Sequence, residues 1–197
     1  MGHEISRKLS YLLRHGANEA GLSMDAAGWV PVREIERHLR LSRSQLESAV
    51  ASNTKGRLEL RADRIRCCQG HSFAGTPVTL EGLEASWRPY EGEDRIFHGT
   101  YVEAVTSIAK EGLLPGERTH VHLAPARESH VGKRANVHVM LGVSVERVRA
   151  AGLEVWESPN GVVLARRVPA TAIVALDALT HRAETQKARL RALFGLG

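Results

Sequence analysis

The sequence predicts an α+β protein in which helices come first and strands follow. Three observations carry this expectation. Apolar residues recur at helical spacing up to about residue 50, two short alternating segments separated by a turn come next, and from about residue 95 β-type runs alternate with brief helices. A chain of 197 residues with 43% hydrophobic content can bury a core as one domain or as two small lobes.

The first helix is read from Ile5, Leu9, Leu12 and Leu13, and it closes on Arg14-His15 followed by Gly16, which displays both basic side chains at a helix C-terminus. A short extended piece, Gly28-Trp29-Val30, leads into a second helix from Pro31 to about His38, with Val32, Ile35 and Leu39 as its buried stripe. A third starts at Ser42, where Ser42 and Gln45 match a capping box ahead of Leu46, Ala49 and Val50. Alternating strands over 57–60 and 64–67 flank a turn at Ala62-Asp63. Three helices followed by a hairpin is the order of a winged helix, and this lobe is expected over residues 1–76.

Residues 77–94 turn acidic and lose periodicity around Pro77, Pro89 and Gly92, so they are read as a linker. The second lobe, 95–197, is expected to be a mixed sheet. Its elements are a strand at 95–97, a helix from Tyr101 to Glu111 closed by Gly112, strands at 121–123 and 137–143, and a short helix at 145–150. Strands at 153–158 and 162–166 then flank Pro159-Asn160-Gly161, and one basic amphipathic helix runs from His181 to Phe194.

A net charge of +5, mostly from arginine, favours polyanionic partners. The two cysteines are adjacent, Cys67 and Cys68, which suits neither a structural disulfide nor a zinc site and points to a reducing compartment. Met1-Gly2-His3-Glu4 opens without the apolar run of a signal peptide, and no segment approaches the ~20 apolar residues of a membrane span. The expectation is a soluble cytoplasmic protein. A Gly-x-x-x-x-Gly-Lys-Ser/Thr phosphate loop, a Gly-x-Gly-x-x-Gly dinucleotide turn and a Gly-x-Ser-x-Gly elbow are all missing, which disfavours the enzyme classes they serve.

Arg14, His15, Arg66, His71, His98, Arg118, His120 and His122 lie where elements end or loops begin, the places where functional groups are displayed. Singly, each has an ordinary explanation. A lone arginine is usually solvated, and the alternation in His120-Val121-His122 puts both rings on one strand face, where they are satisfied polar groups or metal ligands short of a third partner.

Together with their neighbours these residues form a series. It comprises Leu12-Leu13-Arg14-His15-Gly16, Gly28-Trp29-Val30, Ile65-Arg66-Cys67-Cys68-Gln69-Gly70-His71-Ser72, Phe97-His98-Gly99-Thr100, Arg118-Thr119-His120-Val121-His122-Leu123 and Ser158-Pro159-Asn160-Gly161-Val162. In order and approximate spacing, over nearly the whole chain, the series resembles the RNA 2'-phosphotransferase family.

The resemblance implies a winged-helix lobe joined to an ADP-ribosyltransferase-like lobe that consumes NAD. It implies that an internal RNA 2'-phosphate attacks the nicotinamide-bearing ribose carbon and expels nicotinamide. The neighbouring ribose hydroxyl then attacks phosphorus, leaving 2'-hydroxyl RNA and ADP-ribose 1'',2''-cyclic phosphate. Carried over residue by residue, Arg14, His15, Arg66 and Arg118 match the catalytic tetrad, with Arg118 expected from the second lobe. His98, Gly99 and Thr100 match the start of the NAD site, Ser158, Asn160 and Gly161 a second NAD-side element, and His120 a further ligand contact. No metal is expected, since arginines can neutralise the phosphate. Cys67, Cys68, Ala124 and Val163 depart from the residues more common in the family. Two rivals from other readings are an ADP-ribosyltransferase that caps nucleic-acid phosphate ends and a winged-helix DNA-binding regulator.

Overall fold

The structure, a computed structural model, describes residues 2–132 and 136–197. The chain divides into two compact units. The first takes the chain up to Arg88 together with Gly116–Thr119 and Ser158–Asn160, and the second takes Pro89–Pro115, His120–Glu157 and Gly161–Gly197.

In the first unit, α1 (Gly2–Tyr11) runs into a single π-turn, Leu12–Gly16, and buries Leu9, Leu12 and Leu13. Strand β1 (Val30–Pro31) leads directly into α2 (Val32–Leu39). The expected start at Pro31 moves one residue on because Pro31 is extended, while the Val32 amide donates to the Asp63 carbonyl at 2.7 Å. Helix α3 (Arg43–Ala51) carries the expected capping box, with Gln45 N donating to Ser42 Oγ and Ser42 N to Gln45 Oε1. Strands β2 (Leu58–Arg61) and β3 (Arg64–Cys67) pair antiparallel around the Ala62-Asp63 turn, in a sheet of order β1-β3-β2. The segment read as a linker is more structured than that. It holds α4 (Leu80–Glu84), capped by Thr79, and Trp87 Nε1 donates to the Cys68 carbonyl at 2.8 Å.

The second unit contains two sheets. After the short β4 (Arg88–Pro89) come β5 (Arg95–Thr100), α5 (Val102–Glu111), β6 (Val121–Leu123), β7 (Val139–Ser144), α6 (Val145–Ala150), β8 (Trp156–Glu157), β9 (Val163–Ala165) and β10 (Ile173–Ala178). The sheet orders are β10-β7-β5 and β4-β8-β9-β6. Every residue of the central β7 is buried, as its continuous apolar run requires. Pairs β5–β7, β7–β10, β6–β9 and β8–β9 are antiparallel. Strand β10 was not expected, because Val174-Ala175-Leu176-Asp177-Ala178 shows no clean alternation.

The expected single C-terminal helix is two, α7 (His181–Glu184) and α8 (Lys187–Ala192). Thr185 Oγ1 and Gln186 Nε2 both donate to the Arg182 carbonyl, and this local competition for a backbone acceptor accompanies the break.

Candidate active site

Arg14 and His15 sit in the π-turn and are braced by the loop that follows β3. Arg14 Nε donates to the Gln69 carbonyl at 2.8 Å, and Nη2 to Gln69 Oε1 at 3.1 Å. The loop can lie this close because residue 70 is glycine. Its φ is +91°, and an added Cβ would fall 3.1 Å from Arg14 Nε. A guanidinium has five N–H donors, so this anchoring leaves outward donors for an anion.

The same loop fixes the imidazole. Ser72 Oγ donates to the Arg14 carbonyl at 3.3 Å and lies 3.1 Å from His15 Nδ1. A hydroxyl has one proton, so Nδ1–H of His15 is the donor to Ser72, and Nε2 is the acceptor of the neutral ring. Burial holds the His15 pKa below the ordinary imidazole value, the charges of Arg14 and Arg118 add to this, and Glu117 opposes it.

Arg118 arrives on the short segment Gly116–Thr119, which pairs with the loop through the Ser72–Arg118 bridge and through Thr119 N donating to the His71 carbonyl at 3.0 Å. Expected from the second lobe, Arg118 therefore belongs to the same compact unit as Arg14, His15 and Arg66. The sequence could not reveal this, because the chain leaves the unit at Arg88 and returns for only a few residues.

Arg66 stands on β3 just before the loop and is 2% exposed. Its Nε and Nη2 both donate to Glu59 Oε2 at 2.8 Å, Nη1 donates to the Ala27 carbonyl at 3.2 Å, and the guanidinium carbon lies 4.6 Å from the centroid of the Trp29 ring. Glu59 was missed, although its signal was present. A two-residue turn at 62–63 pairs 61 with 64 and thus 59 with 66, the register observed.

In the second unit His98, Gly99 and Thr100 lie on β5. His98 Nδ1–H donates to the His122 carbonyl at 3.1 Å. A Cβ at Gly99 would come within 2.9 Å of Val137, so packing alone demands glycine there. His120 is buried with its ring edge-on to Trp156, while His122 on β6 is half-buried, so the two rings occupy different surroundings. Gly161 has a φ of +77°, a turn conformation that favours glycine.

Ser158 and Asn160 belong instead to the first unit. Ser158 Oγ donates to Asn160 Oδ1 at 2.9 Å, and Asn160 Nδ2 donates to the Lys55 carbonyl at 2.9 Å. The structure therefore does not group Ser158, Asn160 and Gly161 within one unit.

The departures from the family pattern are packing residues. Ala124 is buried and exchanges backbone hydrogen bonds with Phe97, and Val163 is a core residue of β9. Burial pushes the Cys67 thiol up and the Cys68 thiol to about 12, which suppresses the reactive thiolate at neutral pH. Among the described residues, no group of three or more His, Cys, Asp or Glu is placed to hold a metal ion. No described helix is long and apolar enough to cross a membrane.

Comparison with known proteins points in one direction. Residues 2–167 match the model of the RNA 2'-phosphotransferase, Tpt1 / KptA family. A protein of Burkholderia lata named probable RNA 2'-phosphotransferase is 40% identical over 182 residues, covering 88% of this chain and 90% of that protein. Proteins of the same name from Rhizobium johnstonii and Pseudomonas syringae pv. tomato are 35% and 36% identical, each covering 84% of this chain and 90% of its own length.

Proposed function

The chain belongs to the RNA 2'-phosphotransferase, Tpt1 / KptA family, and from that premise we propose that it removes an internal 2'-phosphate from RNA by transferring it to NAD. The products are 2'-hydroxyl RNA, ADP-ribose 1'',2''-cyclic phosphate and nicotinamide. One observation carries this reading. Arg14, His15 and Arg118 are tied to a single loop, 69–72, and Arg66 is fixed at its entrance, a cationic set suited to the oxygens of a phosphate.

NAD supplies the ribose carbon that accepts the phosphate and the hydroxyl that later attacks phosphorus. The phosphate is already an anionic nucleophile at neutral pH, so the protein needs no activated serine or thiol. The suppressed thiols of Cys67 and Cys68 accord with that. Arg14 and Arg118 grip phosphate oxygens, Arg66 offers the N–H groups not taken by Glu59 and Ala27, and His15, protonated as the phosphate binds, adds an Nε2–H donor opposite its anchored Nδ1. When the hydroxyl attacks phosphorus, the bond to the RNA 2'-oxygen breaks and that oxygen regains a proton. Charge on the phosphoryl oxygens is met by donors already in place.

We assign NAD contacts to His98, Gly99, Thr100, His120, Ser158, Asn160 and Gly161. The chemistry of these donors suits ribose hydroxyls. The His98 ring is held by its Nδ1–H on the His122 carbonyl, and Ser158 and Asn160 form a preset hydroxyl–amide pair. Gly99 gives no independent support, since Val137 already explains it. The helices and hairpin of the first unit support the winged-helix reading. The paired antiparallel sheets of the second are the proposed ADP-ribosyltransferase-like lobe.

The test is incubation of the protein with NAD and a short RNA bearing one internal 2'-phosphate. Nicotinamide release without loss of RNA phosphate would favour the end-capping alternative, and no nicotinamide release would favour the DNA-binding regulator.

A further inference from the structure

The first unit contains a cleft of about 720 Å³ between α1 and the turn at 53–57, and only its inner end is used by the mechanism above. Arg14 and His15 form that end. Arg7, Lys55 and Arg57 also line it, and the one carboxylate on its wall among the described residues, Glu4, is paired with Lys8 at 2.9 Å. Among the described residues, neither Arg57 nor Lys55 has a carboxylate partner.

Two features indicate that this charge is arranged for a ligand. First, the loop is preset. Asn53 Nδ2 donates to Ser6 Oγ at 2.6 Å, Asn53 Oδ1 accepts from Arg57 N at 3.0 Å, the Arg57 carbonyl accepts from Cys68 N, and Lys55 O accepts from Asn160. Both cations are thus presented from a fixed backbone, which lowers the ordering cost of binding. Secondly, groups in the cleft are left in an unfavourable state by the protein alone. Burial depresses the Arg57 pKa and the Arg14 charge depresses it further, so two half-buried guanidinium groups face each other's repulsion. An anion held between these two guanidinium groups would relieve that repulsion. At the rim Tyr11, 63% exposed, offers a ring on which a nucleobase can stack.

We propose that this cleft is a second anion subsite, in which Arg57 and Lys55 hold the phosphodiester of the RNA linkage adjacent to the 2'-phosphorylated nucleotide. The proposal rests on the RNA reading given above and deepens it. The enzyme recognises a strand, with Arg14 belonging to both subsites. Free phosphate would satisfy Arg57 but would leave Tyr11 without a purpose.

The experiment measures binding separately from turnover. A fluorescent RNA trinucleotide with a central 2'-phosphate is made with both linkages as phosphodiesters, or with one or the other as a neutral methylphosphonate, and its affinity is followed by anisotropy over a range of salt. Wild-type protein should bind one of the methylphosphonate forms about tenfold more weakly. Arg57→Ala and Lys55→Ala should weaken the diester form and bring that ratio towards one. Each should also reduce the slope of log affinity against log salt by about 0.7, the value for one phosphate contact on a single strand. Inorganic phosphate should compete only at much higher concentration than the trinucleotide. The proposal is overturned if wild type does not discriminate between the linkages, or if both variants retain the wild-type ratio and slope. Thermal unfolding checks that the variants are folded, and Lys55→Ala, which removes no side-chain hydrogen bond of the fold, stands in should Arg57→Ala unfold. Discrimination in binding with no phosphate removal would sink the phosphotransferase reading and leave the subsite intact. Phosphate removal with no discrimination would do the reverse.

Discussion

Glu59 holds Arg66 from the opposite strand: one carboxylate oxygen accepts from both Nε and Nη2 at 2.8 Å, while the same carboxylate reaches Arg61 at 2.5 Å. Arg66 is nearly inaccessible, so this partner compensates its buried charge, and the pairing directs its remaining N–H groups. Removing one partner of a buried pair costs about 3–5 kcal/mol because the other charge is stranded. Glu59→Ala is therefore expected to lower the unfolding midpoint by several degrees and kcat by roughly 10–100-fold, more than it raises KM. Glu59→Gln, which keeps an acceptor, should recover most of the stability but only part of kcat. Equal recovery of both would reduce Glu59 to a purely structural residue.

His15 predicts a pH dependence of phosphate binding. Its pKa in the free protein lies below the usual value, through burial and the charges of Arg14 and Arg118, and a bound phosphate must raise it. Between those two values binding takes up a proton, so affinity should increase as pH falls through the region around and below 6.5, by at most about tenfold per pH unit. Protonation of the phosphate, with a pKa near 6, acts in the opposite sense. The difference between wild type and His15→Asn isolates the histidine contribution. Calorimetry in buffers of different ionisation enthalpy should show proton uptake in the wild type that the variant lacks.

The linkage for stability follows from the same depressed pKa. Below the ordinary imidazole value the unfolded chain binds the proton that folded His15 resists, so this contribution to stability is lost as pH falls from about 6.5 towards the folded pKa. His15→Asn should flatten that part of the stability–pH curve, as measured by urea unfolding.

Gly99 separates packing from ligand contact. Gly99→Ala would press a methyl against Val137 and should cost about 1–3 kcal/mol. Adding Val137→Ala should restore stability if packing is the whole reason for glycine. Full recovery of stability with KM for NAD still raised would place the NAD contact at Gly99, whereas recovery of both would remove Gly99 from the proposed NAD residues.

The sequence made local elements legible where one physical signal dominated. The Ser42–Gln45 capping box set the start of α3, and Ala62-Asp63 set the hairpin register. It did not reveal relationships that depend on the chain returning to a distant partner. Arg118 joins the first unit through a backbone bridge to Ser72, and Asn160 does so through Lys55. Neither pairing has a local periodicity. The break between α7 and α8 was hidden because Thr185 and Gln186 are tolerated in helices until their side chains reach the Arg182 carbonyl.

Arg118 also bears on the order of chemistry. Under the proposed function, gripping the phosphate in the first step would position it but dampen its nucleophilicity, whereas in the second step fixed donors would meet the phosphoryl oxygens without that drawback. Arg118→Ala should slow the second step by roughly 10²–10³ and leave adenylate label attached to RNA while nicotinamide is still released. A single-turnover time course in which both steps slow equally, with no RNA-linked label, would refute this division.

Under the proposed function, one cationic loop assembly performs phosphate transfer from RNA to NAD. The most direct measurement is a single time course with NAD and an RNA carrying one internal 2'-phosphate, in which nicotinamide, RNA phosphate and the phosphate-bearing small molecule are quantified together. The account predicts one nicotinamide and one ADP-ribose cyclic phosphate for each phosphate lost from RNA. Nicotinamide release while the 2'-phosphate stays on the RNA, or phosphate release as free inorganic phosphate without NAD, would contradict it.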